Sequence, residues 1–343
     1  MKAKAIAVFE LLRDAFKDRG DDRAARLGAA LAYYTIFSIG PLLVIIIAIA
    51  GKVFGEEAAR GQIVGTIGSV VGPDAAAFIQ NMIKTAGEPA SSTIAGITGT
   101  ITLLLGAAGF FGQLKDALNT VWEVQPRPGL GIMGIVRRNV LTFAMVVAAA
   151  FLLLVSLVVN AALAALGDYL KGVLSIDPLV WQVINYAATF AVITLVFAMI
   201  YKVLPDVKIP WRNVWVGALV TALLFLLGQI ALGLYFGLSN PGSAFGAAGS
   251  LVVVLVWIYY SAQILFFGAE ITQVYSSRYG LPVRPEHYAE RITPEARAQQ
   301  GMAGAKSSGA RQDDRSRASA GTGQGSAEAT KSPWFKDVWA VES

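Results

Sequence analysis

Six stretches of roughly 20 residues or more, each free of Asp, Glu, Lys and Arg, constrain this chain more than any other feature of it. They run Ala29–Gly51, Ile94–Gly112, Asn139–Leu166, Leu179–Tyr201, Val214–Leu238 and Ala247–Ala269. A bilayer core about 30 Å thick takes roughly 20 apolar helical residues at about 1.5 Å each. Lipid offers an unpaired peptide group no partner, so such stretches cross it as helices. Of the 343 residues, 55% are hydrophobic and 15% charged, a balance that puts most of the chain in lipid rather than in two soluble domains. The expected fold is all-α, a polytopic membrane bundle of six transmembrane helices.

The basic residues orient it. Between spans two and three lie Lys115, Arg127, Arg137 and Arg138; between four and five, Lys202, Lys208 and Arg212; after six, Arg278, Arg284 and Arg291. The alternate connections are poorer, with Lys52, Arg60 and Lys84 in a long first loop, Lys171 in the next and no base from Ser239 to Phe245. The positive-inside rule then places both termini in the bacterial cytoplasm, with the chain in the inner membrane. Seven bases in the first 28 residues, Lys2 to Arg26, read as a cytoplasmic anchor rather than a nucleic-acid tract. No cleavable signal peptide is expected, because Glu10, Arg13 and Asp14 interrupt the first apolar run.

Three segments frame the expected transmembrane domain, residues 29–275. Residues 1–28 form a cytoplasmic amphipathic segment, in which Ile6, Phe9, Leu12 and Phe16 recur at helical spacing opposite Lys2, Lys4, Arg13 and Lys17, the pattern of a helix lying on an anionic leaflet. In the loop at about 52–93, residues 63–86 are mildly apolar but broken by Gly65, Gly68, Gly72 and Pro73, which predicts short helices at the outer surface. Residues 276–343 form a cytoplasmic, largely disordered tail, rich in Ala, Gly, Ser and Gln from about Arg297 to Ser332 and closing on Trp334 and Trp339.

Four blocks stand out in order. Residues 27–51 read LGAALAYYTIFSIGPLLVIIIAIAG and residues 108–124 read AGFFGQLKDALNTVWEV; YKVLPDVKIPWRNVWVGALVTALLFLLGQIALGLYFG begins at Tyr201, and SAFGAAGSLVVVLVWIYYSAQILFFGAEIT begins at Ser243. In this order and spacing the chain resembles the YihY/BrkB family of inner-membrane proteins over roughly residues 20 to 275. The resemblance implies a six-helix inner-membrane protein. Members have been called ribonuclease BN or virulence and serum-resistance factors, and some are linked to export or lipid movement. The family pattern falls here on Ala32, Tyr33, Ser38, Pro41, Asn119, Trp122, Pro205, Gly217, Tyr235, Gly249, Trp257, Tyr260 and Glu270, without assigned roles.

The ribonuclease name fits the residues poorly. A zinc-dependent hydrolase of RNA needs several imidazoles and carboxylates to hold metal and activate water. The chain has one histidine, His287, in a polar segment between Glu286 and Tyr288, and no cysteine. Asp116 and Glu123 flank a short turn without a recognisable partner set. Arg127, Arg137 and Arg138 beside Trp122 make only a thin version of an RNA-binding patch, and topology already explains them. No catalytic residue, metal, cofactor or nucleic-acid partner is therefore expected.

Polar groups within the spans are the better guide, because lipid makes them costly unless they face a partner or water. In span six Trp257, Tyr260, Gln263, Phe267 and Glu270 follow one helical stripe. Span one offers Tyr34, Ser38 and Pro41, and span five offers Thr221, Phe225, Gly228 and Tyr235 with Gln229 beside them. Such stripes either glue helices together or line a cavity. Gly40 and Pro41 at mid-span predict a kinked or broken first helix. Asn160, Gln182 and Asn185 fit a wet outer mouth, and Glu270 reads as an inner-end ion-pair partner for Lys115 or Arg212, or as a proton-sensitive gate. The leading expectation is a transporter or lipid-translocating protein, with membrane lipids around it and an amphipathic or anionic substrate in a cavity among spans one, five and six. The alternative is a non-transporting scaffold for envelope or division partners.

Overall fold

The computed structural model describes residues 2–87, 109–127, 178–239, 248–279, 283–299 and 302. They are mostly helical. In chain order come α1 (Lys2–Asp21), α2 (Ala24–Phe54), α3 (Glu56–Val71), α4 (Pro73–Ala86), α5 (109–121), β1 (Val124–Pro126), α6 (Pro178–Val203), β2 (Val207–Lys208), α7 (Trp211–Ser239), α8 (Gly249–Tyr279), β3 (Arg284–Pro285), β4 (Ala289–Arg291) and α9 (Pro294–Gln299). Within them four helices are long and apolar enough to cross a membrane: Ala24–Lys52, Gln182–Val203, Trp211–Phe236 and Gly249–Tyr279. These coincide with expected spans one, four, five and six. Span three lies outside the described residues, and span two is described only from residue 109, where it enters α5.

The buried faces are those of a membrane bundle. Along α7, Leu219, Leu223, Leu227, Ile230 and Leu234 are exposed at steps of three and four, while Val214, Ala218, Thr221 and Ala222 are buried. Lipid tails are as apolar as leucine, so leucine goes outward and small residues let helices approach. The antiparallel α7–α8 contact is a notch-and-knob zipper of this kind. Gly217 faces the Thr272 side chain, Gly268 faces Thr221, and Gly228 faces the ring of Tyr260, each so closely that a Cβ would overlap its neighbour. Tyr201 of α6 ties the three helices together. Its hydroxyl donates to the Leu265 carbonyl at 2.8 Å and lies 2.9 Å from Thr221 Oγ1.

Helix α2 runs without interruption through Pro41, so of the kinked or broken first helix expected there the broken form is absent. The proline costs one backbone hydrogen bond, and packing on the Gly40 side compensates. A Cβ at Gly40 would stand 3.3 Å from the Met82 carbonyl, so α4 seats in that notch. Ile79 and Ile83 of α4 and Ile63 of α3 bury against Leu43, Ile46 and Ile47 of α2 and Val254 of α8. The α3–α4 hairpin therefore packs down to the middle of α2.

Helices α2 and α8 extend past their charge-free stretches. The first starts at Ala24 rather than Ala29, and α8 continues from Ala269 to Tyr279, with Glu270, Gln273, Ser276 and Ser277 buried. Hydropathy stops at the first carboxylate. The helix goes on because α1 covers it, packing Ala15 and Leu11 on Ile271, Val274 and Phe267, with Arg278 paired to Glu10 and Asp14. Phe9, Leu12 and Phe16 of α1 stay exposed.

The tail begins folded. Inside a segment expected to be largely disordered, β3 pairs with β2 (Val207 with Pro285, Lys208 with Arg284) and β4 pairs antiparallel with β1 (Val124 with Arg291, Gln125 with Glu290). Residues 303–343 lie outside the described residues.

Candidate functional site

A cavity of about 500 Å³ lies between α2, α5, α6, α7 and α8. Apolar side chains make nearly all of its wall: Leu31, Leu42 and Ile46 from α2, Phe111 and Leu114 from α5, Phe197 and Leu204 from α6, Phe225 from α7, and Trp257 and Leu265 from α8. Hydroxyls come from Thr35, Ser38 and Ser261. Thr35 donates back to the Leu31 carbonyl at 2.6 Å, whereas Ser261 Oγ is buried with no hydrogen-bond partner among the described residues. An edge-to-face chain of rings, Phe197 to Phe225 at 5.6 Å and Phe225 to Trp257 at 6.0 Å, stiffens one side. The chamber suits an aliphatic chain rather than a hydrated ion.

Among the sequence candidates, Ser38, Phe225 and Trp257 reach this cavity. Thr221, Tyr260 and Gln263 serve helix packing: Thr221 meets Tyr201, Tyr260 fills the Gly228 notch, and Gln263 donates to the Ala24 carbonyl at 3.1 Å, accepts from Arg19 and abuts Gly28. Tyr34 and Tyr235 are exposed, Pro41 and Gln229 are half-buried, and Glu270 is fully buried in the C-terminal third of α8. Of the family-pattern positions, Tyr33 is exposed, Trp122, Pro205 and Gly249 are buried, and Gly217 forms the Thr272 notch. Asn160 lies outside the described residues; Gln182 and Asn185 are exposed. His287 is exposed, with Nδ1 3.7 Å from Glu286.

Two buried polar clusters beneath the cavity escape sequence reading. Leu114 and Leu204 line the cavity, and just beyond them Lys115 Nζ pairs with Asp206 at 2.8 Å, both fully enclosed. Asn119 holds Asp206 twice, donating to its carboxylate at 2.9 Å and accepting from its backbone N–H at 2.8 Å. Tyr288 of the tail donates to the same carboxylate at 3.0 Å. Lys115 is thus paired with Asp206 and not with Glu270, for which the sequence offers Lys115 or Arg212 as partner. In the second cluster, buried Arg297 donates to Asp22 at 3.0 Å and to Glu123 at 3.1 Å. Glu123 and Arg23, the neighbour of Asp22, both adopt left-handed backbone conformations, at φ 54° and 52°. Each costs about 1–2 kcal/mol for a residue bearing a Cβ. The clamp holds two such positions in place.

The family described as virulence factor BrkB matches residues 15–293, most of the chain and every element named above except the start of α1 and α9. The chain belongs to the BrkB family. Its relatives are named only as membrane proteins. A UPF0761 membrane protein of Psychrobacter sp. (strain PRwf-1) is 29% identical over 81% of this chain and 49% of its own length. One from Verminephrobacter eiseniae is 26% identical over 77% and 60%, and one from Pseudomonas aeruginosa (strain LESB58) is 27% identical over 72% and 58%. The chain thus spans about half to three-fifths of the length of these BrkB relatives. No solved structure matches it.

Proposed function

We propose that this BrkB protein is a six-span inner-membrane transporter or lipid translocator, with both termini cytoplasmic, that passes an amphipathic substrate with an anionic head through the cavity. The observation that carries the reading is the cavity itself. Its volume of about 500 Å³ falls in the range of ligand sites, about 300–1,000 Å³, yet its wall is almost wholly apolar. The Ser261 hydroxyl, which has no hydrogen-bond partner among the described residues, gives a polar group of the substrate one place to bond. Orientation is supported by charge. The end that gathers the α1–α2 turn, β1, β2 and the folded tail carries Arg23, Arg26, Arg127, Lys208, Arg284 and Arg291. The reading assigns no catalytic residue, cofactor or nucleic acid.

Purified protein in liposomes tests it, with labelled phospholipid and a small organic anion as probes. Movement of either, abolished by Ser261→Trp, which fills the cavity, supports the reading; a folded protein that moves neither overturns it. Recruitment of envelope partners as a scaffold is the competing outcome. Removing residues 303–343 separates the two, because the folded segment through residue 302 stays and a transporter keeps its activity.

A further inference from the structure

We infer that residues 283–299 form a strap that shuts the cavity on its cytoplasmic side, and that this strap is released when substrate passes there. The inference rests on the transport reading above and adds its regulation.

The strap and the cavity share one packed column. Leu114 and Leu204 are cavity wall; Leu118, Val121 and Val207 lie in the same apolar cluster, and Val283 of the strap belongs to it as well. Around that apolar plug the strap is fastened at four points, one of them the pairing of β3 with β2. Tyr288 bonds Asp206, which is the counter-ion of Lys115. Strand β4 pairs with β1, and Gln125 Nε2 donates to Glu290 at 3.1 Å. Arg297 reaches both Asp22, between α1 and α2, and Glu123, just after α5.

These fastenings differ from a hydrophobic staple in kind. Each is a polar or ionic contact made to a different helix end, and each can be exchanged for water or an anion once the strap lifts. A buried pair separated from its partner is costly, so the contacts act together rather than one by one. The two left-handed residues at the Arg297 clamp add strain that opening relieves. Lifting the strap also withdraws Tyr288 and Val283, which exposes the Lys115–Asp206 pair to an anionic head arriving from the cytoplasm.

The chain has no cysteine, so a single engineered thiol reports access. In Ser261→Cys, a membrane-impermeant thiol reagent is applied from the cytoplasmic side of inside-out vesicles. The strap predicts that Arg297→Gln raises the labelling rate at least about tenfold, since it removes two buried contacts at once. A second arm guards against misfolding. Gln125→Cys with Glu290→Cys, which face each other in the β1–β4 pair, are oxidised to lock the strap before the cavity thiol is probed. The locked protein carrying Arg297→Gln should label at position 261 no faster than the parent, and labelling at that position, read by peptide mapping because reduction also frees the two strap thiols, should rise only after reduction. Equal labelling in folded Arg297→Gln and parent overturns the strap, as does a locked protein that transports at the parental rate. Thiol access decides the strap even if neither probe lipid nor anion moves, so failure of the transport reading is seen separately.

Discussion

Replacing Gly268 by alanine puts a methyl group into one of the closest helix contacts of the bundle. A Cβ there would overlap Thr221 Oγ1 and the Tyr201 hydroxyl, and would stand 2.9 Å from Thr221 Cβ. Ordinary carbon contacts are about 3.5–4.0 Å, so α7 and α8 must separate by the better part of an ångström or Thr221 must rotate. Overpacking of this kind costs about 1–3 kcal/mol. Rotating Thr221 away also disturbs its contact with Tyr201, for about 1 kcal/mol more. Alanine recovers about 0.5–1 kcal/mol through its better helix propensity. The net expectation is a loss of about 1–3 kcal/mol, read as a drop in melting temperature of roughly 1–4 °C by heating in detergent followed by size-exclusion chromatography. Gly233→Ala is the control, because a Cβ there meets nothing within 4 Å and the propensity gain stands alone. In a Thr221→Ala background the penalty should shrink, with a coupling of at least about 0.5 kcal/mol. A Gly268→Ala protein as stable as Gly233→Ala, or additive with Thr221→Ala, refutes the zipper.

Other expectations follow from the same contacts. Asp206→Asn strands the buried Lys115 ammonium and should cost about 3–5 kcal/mol in the same melting assay, while Lys115→Met with Asp206→Leu restores much of it. Arg278→Gln frees α1 from Glu10 and Asp14, and should raise protease cleavage within residues 2–21 with only a small change in melting, since those pairs are largely exposed on one side. Phe111→Trp narrows the cavity from α5 and should slow lipid movement in liposomes while leaving oligomeric state and melting close to parental.

Where physics acts locally, the sequence is legible. The spans that became α2, α6, α7 and α8 could be read because absence of charge over a bilayer's thickness needs no partner to interpret. Their ends could not. Glu270 and Gln273 end the apolar run, yet the helix continues because α1, more than 240 positions earlier, covers it. The stripe of Trp257, Tyr260 and Gln263 is real as spacing, but spacing cannot separate a residue that lines a cavity from one that fills a glycine notch. Tyr260 falls to the second class because Gly228 lies opposite. The inner clusters were hidden for a related reason. Asn119 and Asp206 are 87 positions apart and Asp22 and Arg297 275, so each charge read alone looked like topology rather than one half of a pair. Strands of two or three polar residues, such as Ala289–Arg291, carry no periodicity to read, and the tail accordingly looked disordered.

The cavity can be observed in place by solving the protein in a lipid nanodisc and inspecting the space between Ser38, Phe111, Phe197, Trp257 and Ser261. Elongated, chain-like density there, with a polar end within hydrogen-bond reach of Ser261, is the result expected of a lipid-translocating BrkB protein. A space closed by the protein's own side chains, with no room for an acyl chain, would contradict it.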